Sequence, residues 1–89
     1  MGMDQDTLAA QRRRLRWRAR RGLLENDILF TRFLDRHEEV LSDEDVLAFD
    51  RLLDLTDNEL LDLLLERVRL PEQLDSPPMR SLLVRLRSA

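Results

Sequence analysis

Apolar residues recur along this chain in short stretches of helical spacing, each cut off by a polar start or stop signal. Leu8, Leu15 and Ala19 share one face at spacings of seven and four, which predicts a first helix over about residues 7–20. Leu23, Phe30, Phe33, Leu34 and His37 form a broad stripe over 23–39 and predict a second. Val46, Phe49, Leu52 and Leu53 mark a third that runs to about residue 54, and the leucines at 60, 61, 63, 64 and 65 a fourth that runs to about 67. Met79, Leu82, Leu83 and Leu86 mark a fifth.

The punctuation between these runs agrees with that reading. Gly22 breaks or bends the chain between the first two helices. "SDED" at 42–45 is an acidic variant of a capping box, with Ser42 placed to accept from the backbone three residues on. "TDNE" at 56–59 is a second start signal, with either Thr56 or Asp57 as the cap. Pro71 is expected to stop the fourth helix, and Ser76 before Pro77 to open the fifth. The expectation is an all-α fold, a small bundle of about five short helices joined by connections of about two to eight residues. Such helices are too short to hold alone in water, so burial must stabilise them. Phe30, Phe33, Phe49, Leu53 and Leu64 are the expected interior.

At 89 residues the chain suits one helical domain, 1–89, with residues 1–6 expected to be flexible. Leucine dominates the apolar set and β-branched residues are few, which favours helix over strand. The net charge of -3 conceals a strong asymmetry. Residues 1–21 carry seven arginines against two aspartates, residues 22–66 three arginines against fourteen acids, and residues 67–89 five arginines against two acids. An acidic body lies between two basic arms.

Several functions fall away on composition. The chain has no cysteine and no lysine, which excludes thiol nucleophiles, Schiff bases and the lysine of a P-loop. Two glycines cannot build a glycine-rich phosphate loop, and the acidic stretch "SDEDVLAFD" lacks the internal glycine of a calcium loop, so no metal site is expected. His37, the single histidine, falls on the apolar side of the second helix, where packing explains it. No catalytic residue is assigned. No apolar run approaches the roughly 20 residues needed to span a bilayer. The start lacks a signal-peptide pattern, and Asp6 occupies the position where a myristoylation site needs Ser or Thr. A cytoplasmic location is the expectation.

Two binding readings remain. Seven arginines between positions 12 and 21, with Trp17 among them, make a basic segment with an interleaved aromatic, a pattern that nucleic acid can use. The acidic body opposes that reading, so an Arg-rich nucleic-acid-binding protein is the alternative. A protein partner is favoured, because Arg grips carboxylates bidentately and Arg and Trp are enriched at interface hot spots. Trp17 either contributes to such a surface or packs into the bundle.

At "RRGLLEND" the chain resembles the SdhE family of succinate dehydrogenase assembly factors. The family's Arg-Gly-x-x-Glu signature is matched by Arg21, Gly22 and Glu25, supported by Trp17, the doubled Arg20-Arg21, and Asp27. Downstream, "LSDEDVLAFDRLLDLTDNELLDLLL" is similar to the family's continuation. The resemblance covers about residues 12–70; residues 71–89 form a divergent C-terminal helix. Asn26 departs from the family, in which Leu is frequent at that position.

The resemblance implies a five-helix chaperone that binds the flavoprotein subunit of succinate dehydrogenase and promotes covalent attachment of FAD to a histidine of that subunit. It also implies related fumarate reductase flavoproteins as further clients. FAD would be the client's cofactor, with none held stably by this chain. The partner-binding residues would be Trp17, Arg20, Arg21, Gly22, Glu25 and Asp27 of a monomer that neither enters membranes nor binds nucleic acid. Arg21 is expected to project beside Glu25, forming a small exposed patch with one group of each sign.

Overall fold

The structure is a computed structural model that describes residues 5–89, with side chains from residue 7 onward. Residues 1–4, which carry the Met1-Gly2 start and most of the segment expected to be flexible, lie outside the described residues; Gln5 and Asp6 already belong to the first helix. Five α-helices follow: α1 Gln5–Arg18, α2 Leu24–His37, α3 Asp43–Leu52, α4 Asp57–Leu64 and α5 Pro77–Arg87. Short 3-10 turns at Glu38–Val40 and Glu72–Leu74 complete the order. Among the described residues there is no strand.

The caps are those the sequence announces. Ser42 accepts from the Asp45 N–H while Asp45 accepts from the Ser42 N–H, and Thr56 and Glu59 repeat the arrangement at the start of α4. Thr56 therefore takes the cap, and Asp57 becomes the first residue of α4. Ser76 caps α5 through the Met79 N–H.

The core is one contiguous cluster. α3 lies between α1 and α5, and α2 packs on α4 and α5. Phe49 stands at the centre, its ring 5.6 Å from Phe30 and 5.7 Å from Phe33 in tilted and edge-on contacts. His37 lies against Phe33 at 4.9 Å, half-buried, as its place on the apolar stripe suggested. Phe30, Phe33, Phe49, Leu53 and Leu64 are all buried.

The basic arm closes onto the acidic body. Arg12 donates to the Leu41 carbonyl and pairs with Asp43, Arg16 bridges Asp35 and Glu38, and Arg18 pairs with Asp50 and Asp54. From the other end, Arg85 pairs with Asp45, and Arg87 donates to the Leu63 and Leu64 carbonyls at the end of α4. The charge asymmetry of the sequence is thus partly internal: α1 and α5 bring cations to the acids of α2 and α3.

Two boundaries differ from the sequence reading. α1 ends at Arg18, a little short of the expected end at about residue 20, and Gly22 sits between α1 and α2 as the sequence reading placed it. α4 ends at Leu64, well short of Pro71. Glu66 takes a left-handed conformation, φ 59°, while the Glu66 N–H bonds the Leu63 carbonyl and the Arg67 N–H bonds the Asp62 carbonyl. These two bonds make a Schellman ending with glutamate where glycine is usual, and an Arg67–Asp62 ion pair stands in place of the usual apolar contact. Leu65, counted in the fourth helix by the leucine run, falls on the cap and is 53% exposed. The signal was hidden because the residue in the left-handed position is not Gly.

A left-handed Glu carries a conformational cost that Gly does not. Glu66→Gly should therefore raise the urea midpoint, by about 1 kcal/mol of stability, with the slope of the transition unchanged. A lower midpoint would mean that the Glu66–Arg87 contact, 3.7 Å long and exposed, outweighs the backbone term.

Candidate docking surface

The junction between α1 and α2 occupies residues 19–23, and one side chain determines its shape. Arg21 turns inward and spends all three guanidinium nitrogens on other elements. Nε donates to Asp57 Oδ1 at 2.8 Å, one terminal nitrogen to the Leu53 carbonyl at 3.1 Å, and the other to the Leu55 carbonyl at 2.7 Å. Those carbonyls lie just past the C-terminus of α3, where the helix leaves acceptors unsatisfied and a cation is favoured. The Arg21 N–H itself donates to Asp27 Oδ1 at 3.0 Å.

Asp57 receives this fork from the first turn of α4. Its second oxygen, Oδ2, accepts the Leu23 N–H at 3.2 Å, and its carbonyl accepts from the Asn26 side-chain amide at 2.9 Å. The Arg21 hydrogen bond, opposed by burial and reinforced by Leu23 and Asn26, holds the Asp57 carboxyl below the ordinary carboxylate range. Asn26 is buried, and its Oδ1 has no hydrogen-bond partner among the described residues. The Asn26 amide thus ties α2 to the start of α4.

The six partner-binding candidates separate into two groups. Arg21 and Asp27 are internal. With its side chain only 17% exposed, Arg21 does not form the exposed pair with Glu25 that the sequence reading expected. The reason is competition: two carbonyls and a carboxylate converge on the guanidinium from α3 and α4, a stronger set than one solvated glutamate. Gly22, Glu25, Arg20 and Trp17 face outward. Glu25 lies in the first turn of α2, and its side chain makes no ion pair or hydrogen bond among the described residues. Trp17 is 72% exposed, so it does not pack into the bundle.

Gly22 has a less obvious status. Its φ is not positive, and a Cβ placed there would meet nothing closer than Asp57 Oδ2 at 3.5 Å, an ordinary contact. The fold makes no steric demand for glycine at this position. Sequence reasoning missed Asp57 and Asn26 as parts of the site. The available signal was the ambiguity of "TDNE": once Thr56 is the cap, Asp57 is left free to face the junction.

Beside Glu25 and Asn26, a groove of about 470 Å³ runs between α2 and α4, walled by Leu29, Leu61, Leu64 and Leu65. Among the described residues no cluster of three His, Cys, Asp or Glu side chains could hold a metal ion.

The family described as the flavinator of succinate dehydrogenase, Sdh5, matches residues 13–87, which takes in α5 as well as the helices before it. A protein named FAD assembly factor SdhE from Ralstonia nicotianae is 55% identical over 78 residues, 88% of this chain and 82% of that protein. A second of the same name from Acetobacter pasteurianus is 39% identical over 80 residues, 89% of this chain and 73% of the relative. One from Shewanella oneidensis is 53% identical over 47 residues, 53% of this chain and 57% of the relative. No solved structure matches the chain.

Two outcomes follow from the inward Arg21. Arg21→Ala should destabilise the fold by about 2 kcal/mol or more, because it strands two carbonyls and a carboxylate at one junction. An unchanged melting temperature would place the guanidinium in solvent. The second outcome concerns acid. A carboxyl whose folded pKa is depressed stabilises the fold above its unfolded value and loses that contribution as pH falls through the folded one. The wild-type melting temperature should therefore drop steeply below about pH 4, and the drop should be shallower in Asp57→Asn, which has no carboxylate there to protonate. Parallel curves would remove Asp57 from the acid response.

Proposed function

The chain belongs to the family described as the flavinator of succinate dehydrogenase, and on that premise we propose that it is an FAD assembly factor. It binds the immature flavoprotein subunit of succinate dehydrogenase and promotes covalent attachment of FAD to it. The observation that carries the docking site is the outward pair Gly22 and Glu25. A bare, exposed backbone that the fold does not require to be glycine stands beside an unpaired carboxylate. Glycine here suits close approach of a partner's backbone, and Glu25 offers that partner a charged acceptor.

The arrangement supports a helper, not a catalyst. The bond-forming chemistry stays in the client, which owns the FAD. What this chain contributes is binding energy directed at one arrangement of the client. Docking favours a conformation in which the flavin and its acceptor side chain are held together and shielded from water, which lowers a barrier without any reacting group from the helper. Such a shift can be no larger than the differential affinity for the productive state, so affinity should fall once the flavin is attached and the factor should leave.

Arg21 and Asp27 enter this reading as the residues that shape the site, and Trp17 and Arg20 as neighbours on its outward side. The chain acts as a cytoplasmic monomer on this reading, with fumarate reductase flavoproteins as further clients. No helix among the described residues is long and apolar enough to cross a membrane. The nucleic-acid alternative is disfavoured because Arg12, Arg16, Arg18 and Arg21 of the basic segment are already committed to carboxylates.

Gly22→Ala separates docking from folding. At a position whose backbone accepts any L-residue, the added methyl should leave stability unchanged or raise it by about 0.4–1 kcal/mol. Covalent flavin on the client should nevertheless fall sharply, read as in-gel flavin fluorescence of the flavoprotein subunit in cells lacking the native factor and complemented with the variant. Normal flavinylation would remove Gly22 from the docking site.

A further inference from the structure

The arginines of this chain divide by whether they meet a carboxylate. Eight of the fifteen are ion-paired among the described residues. Of the remainder, Arg13, Arg14, Arg20, Arg32 and Arg36 all belong to α1, α2 or the junction between them. Acids outnumber arginines in the chain, so the shortage is local, and Arg13 and Arg20 stand on the outward side that carries Trp17.

That face has an apolar centre. On α1, Arg13 and Trp17 stand four apart on a side opposite the buried Leu15, and Arg20 follows in the junction. Arg13, Trp17 and Arg20 line a groove of about 470 Å³ together with Thr31 and Leu34 of α2, and with Arg16, which Asp35 and Glu38 already hold. Leu24 and Ile28 lie on the same stripe of α2 as Thr31 and are 65% and 42% exposed. From the groove at Thr31, that stripe of α2 continues through Ile28 to Leu24 at the start of the helix. An indole and two aliphatic side chains are flanked by unpaired guanidinium groups.

We infer that this face recognises an acidic patch on the partner that contains an apolar recess for the Trp17 indole; the inference rests on the reading above and assigns that patch to the client flavoprotein. Exposed Trp with flanking Arg is the composition of an interface hot spot, in which the aromatic supplies burial and the guanidinium groups supply bidentate carboxylate recognition. Unpaired charges of one sign also steer encounter, so their effect falls on the association rate, whereas the buried indole governs dissociation. A nucleic-acid strand is the weaker occupant. It would leave Leu24 and Ile28 uncovered and would meet the exposed Glu25 and an acidic body with its own negative charge.

The test is the binding kinetics of the full chain to the purified apo-flavoprotein subunit of succinate dehydrogenase. Association should slow about tenfold between roughly 50 and 300 mM ionic strength. Arg13→Glu with Arg20→Glu should slow association by about tenfold or more at low salt and abolish the salt dependence. Trp17→Ala should act mainly by raising the dissociation rate. Arg69→Glu, a charge reversal at an unpaired arginine beside Val68 and Leu70, should leave the kinetics near wild type. All four substituted residues are exposed, and circular dichroism verifies that each variant is folded.

Salt-independent association, wild-type behaviour of the Arg13, Arg20 variant, or equal slowing by Arg69→Glu would each overturn this inference and leave the functional reading intact. Failure of the wild-type chain to bind the flavoprotein would overturn both. Retention of RNA or DNA at about 150 mM salt, lost in the Arg13, Arg20 variant, would reassign the face to nucleic acid.

Discussion

The Arg21–Asp57 clasp is the interaction on which the arrangement of the helices around the junction depends. A single guanidinium closes three connections at once: it caps the carbonyls after α3, pairs with the first residue of α4, and anchors the junction that leads into α2. Asp57 extends the hold by accepting the Leu23 N–H, and its carbonyl takes the Asn26 amide. Four chain segments meet in this small polar knot beside an otherwise apolar core. A buried polar group of this kind is stabilising only while every partner is present, which makes the junction a sensitive point of the fold.

The clasp also changes what the Arg-Gly-x-x-Glu motif means. Its arginine is a framework residue, and its glycine and glutamate face outward from the framework. The same partition runs through the whole basic segment. Arg12, Arg16 and Arg18 staple α1 to the acidic helices, whereas Arg13 and Arg20 stand free beside Trp17. Helical rotation accounts for the split, because neighbouring positions point about 100° apart. A charge run in the sequence is therefore two populations in the structure, one ion-paired within the molecule and one exposed without a carboxylate partner among the described residues.

Helix type, order and core were legible because local signals carry them. Two capping boxes, a Ser-Pro start and three phenylalanines at helical spacing each agree with their neighbours, and all are realised. What was not legible depends on side chains that reach across the fold. Arg21 could not be read as internal, because its partners lie 32 to 36 residues away. Leu65 was counted in the fourth helix because it continues the leucine run, and only the left-handed Glu66 reveals that the helix has already ended. The motif's location was readable from the chain; the direction in which each member points was not.

The central claim is that Gly22, Glu25 and Trp17 meet the client while Arg21 remains bound to Asp57. Nitrogen-resolved magnetic resonance of the labelled chain, titrated with apo-flavoprotein, tests it directly. The Trp17 indole N–H and the backbone amides of Gly22 and Glu25 should shift or broaden first, and the Arg21 Nε–H should keep its position in free and bound protein. A footprint centred on α5, or an Arg21 Nε–H that moves while the Trp17 indole does not, would contradict the account.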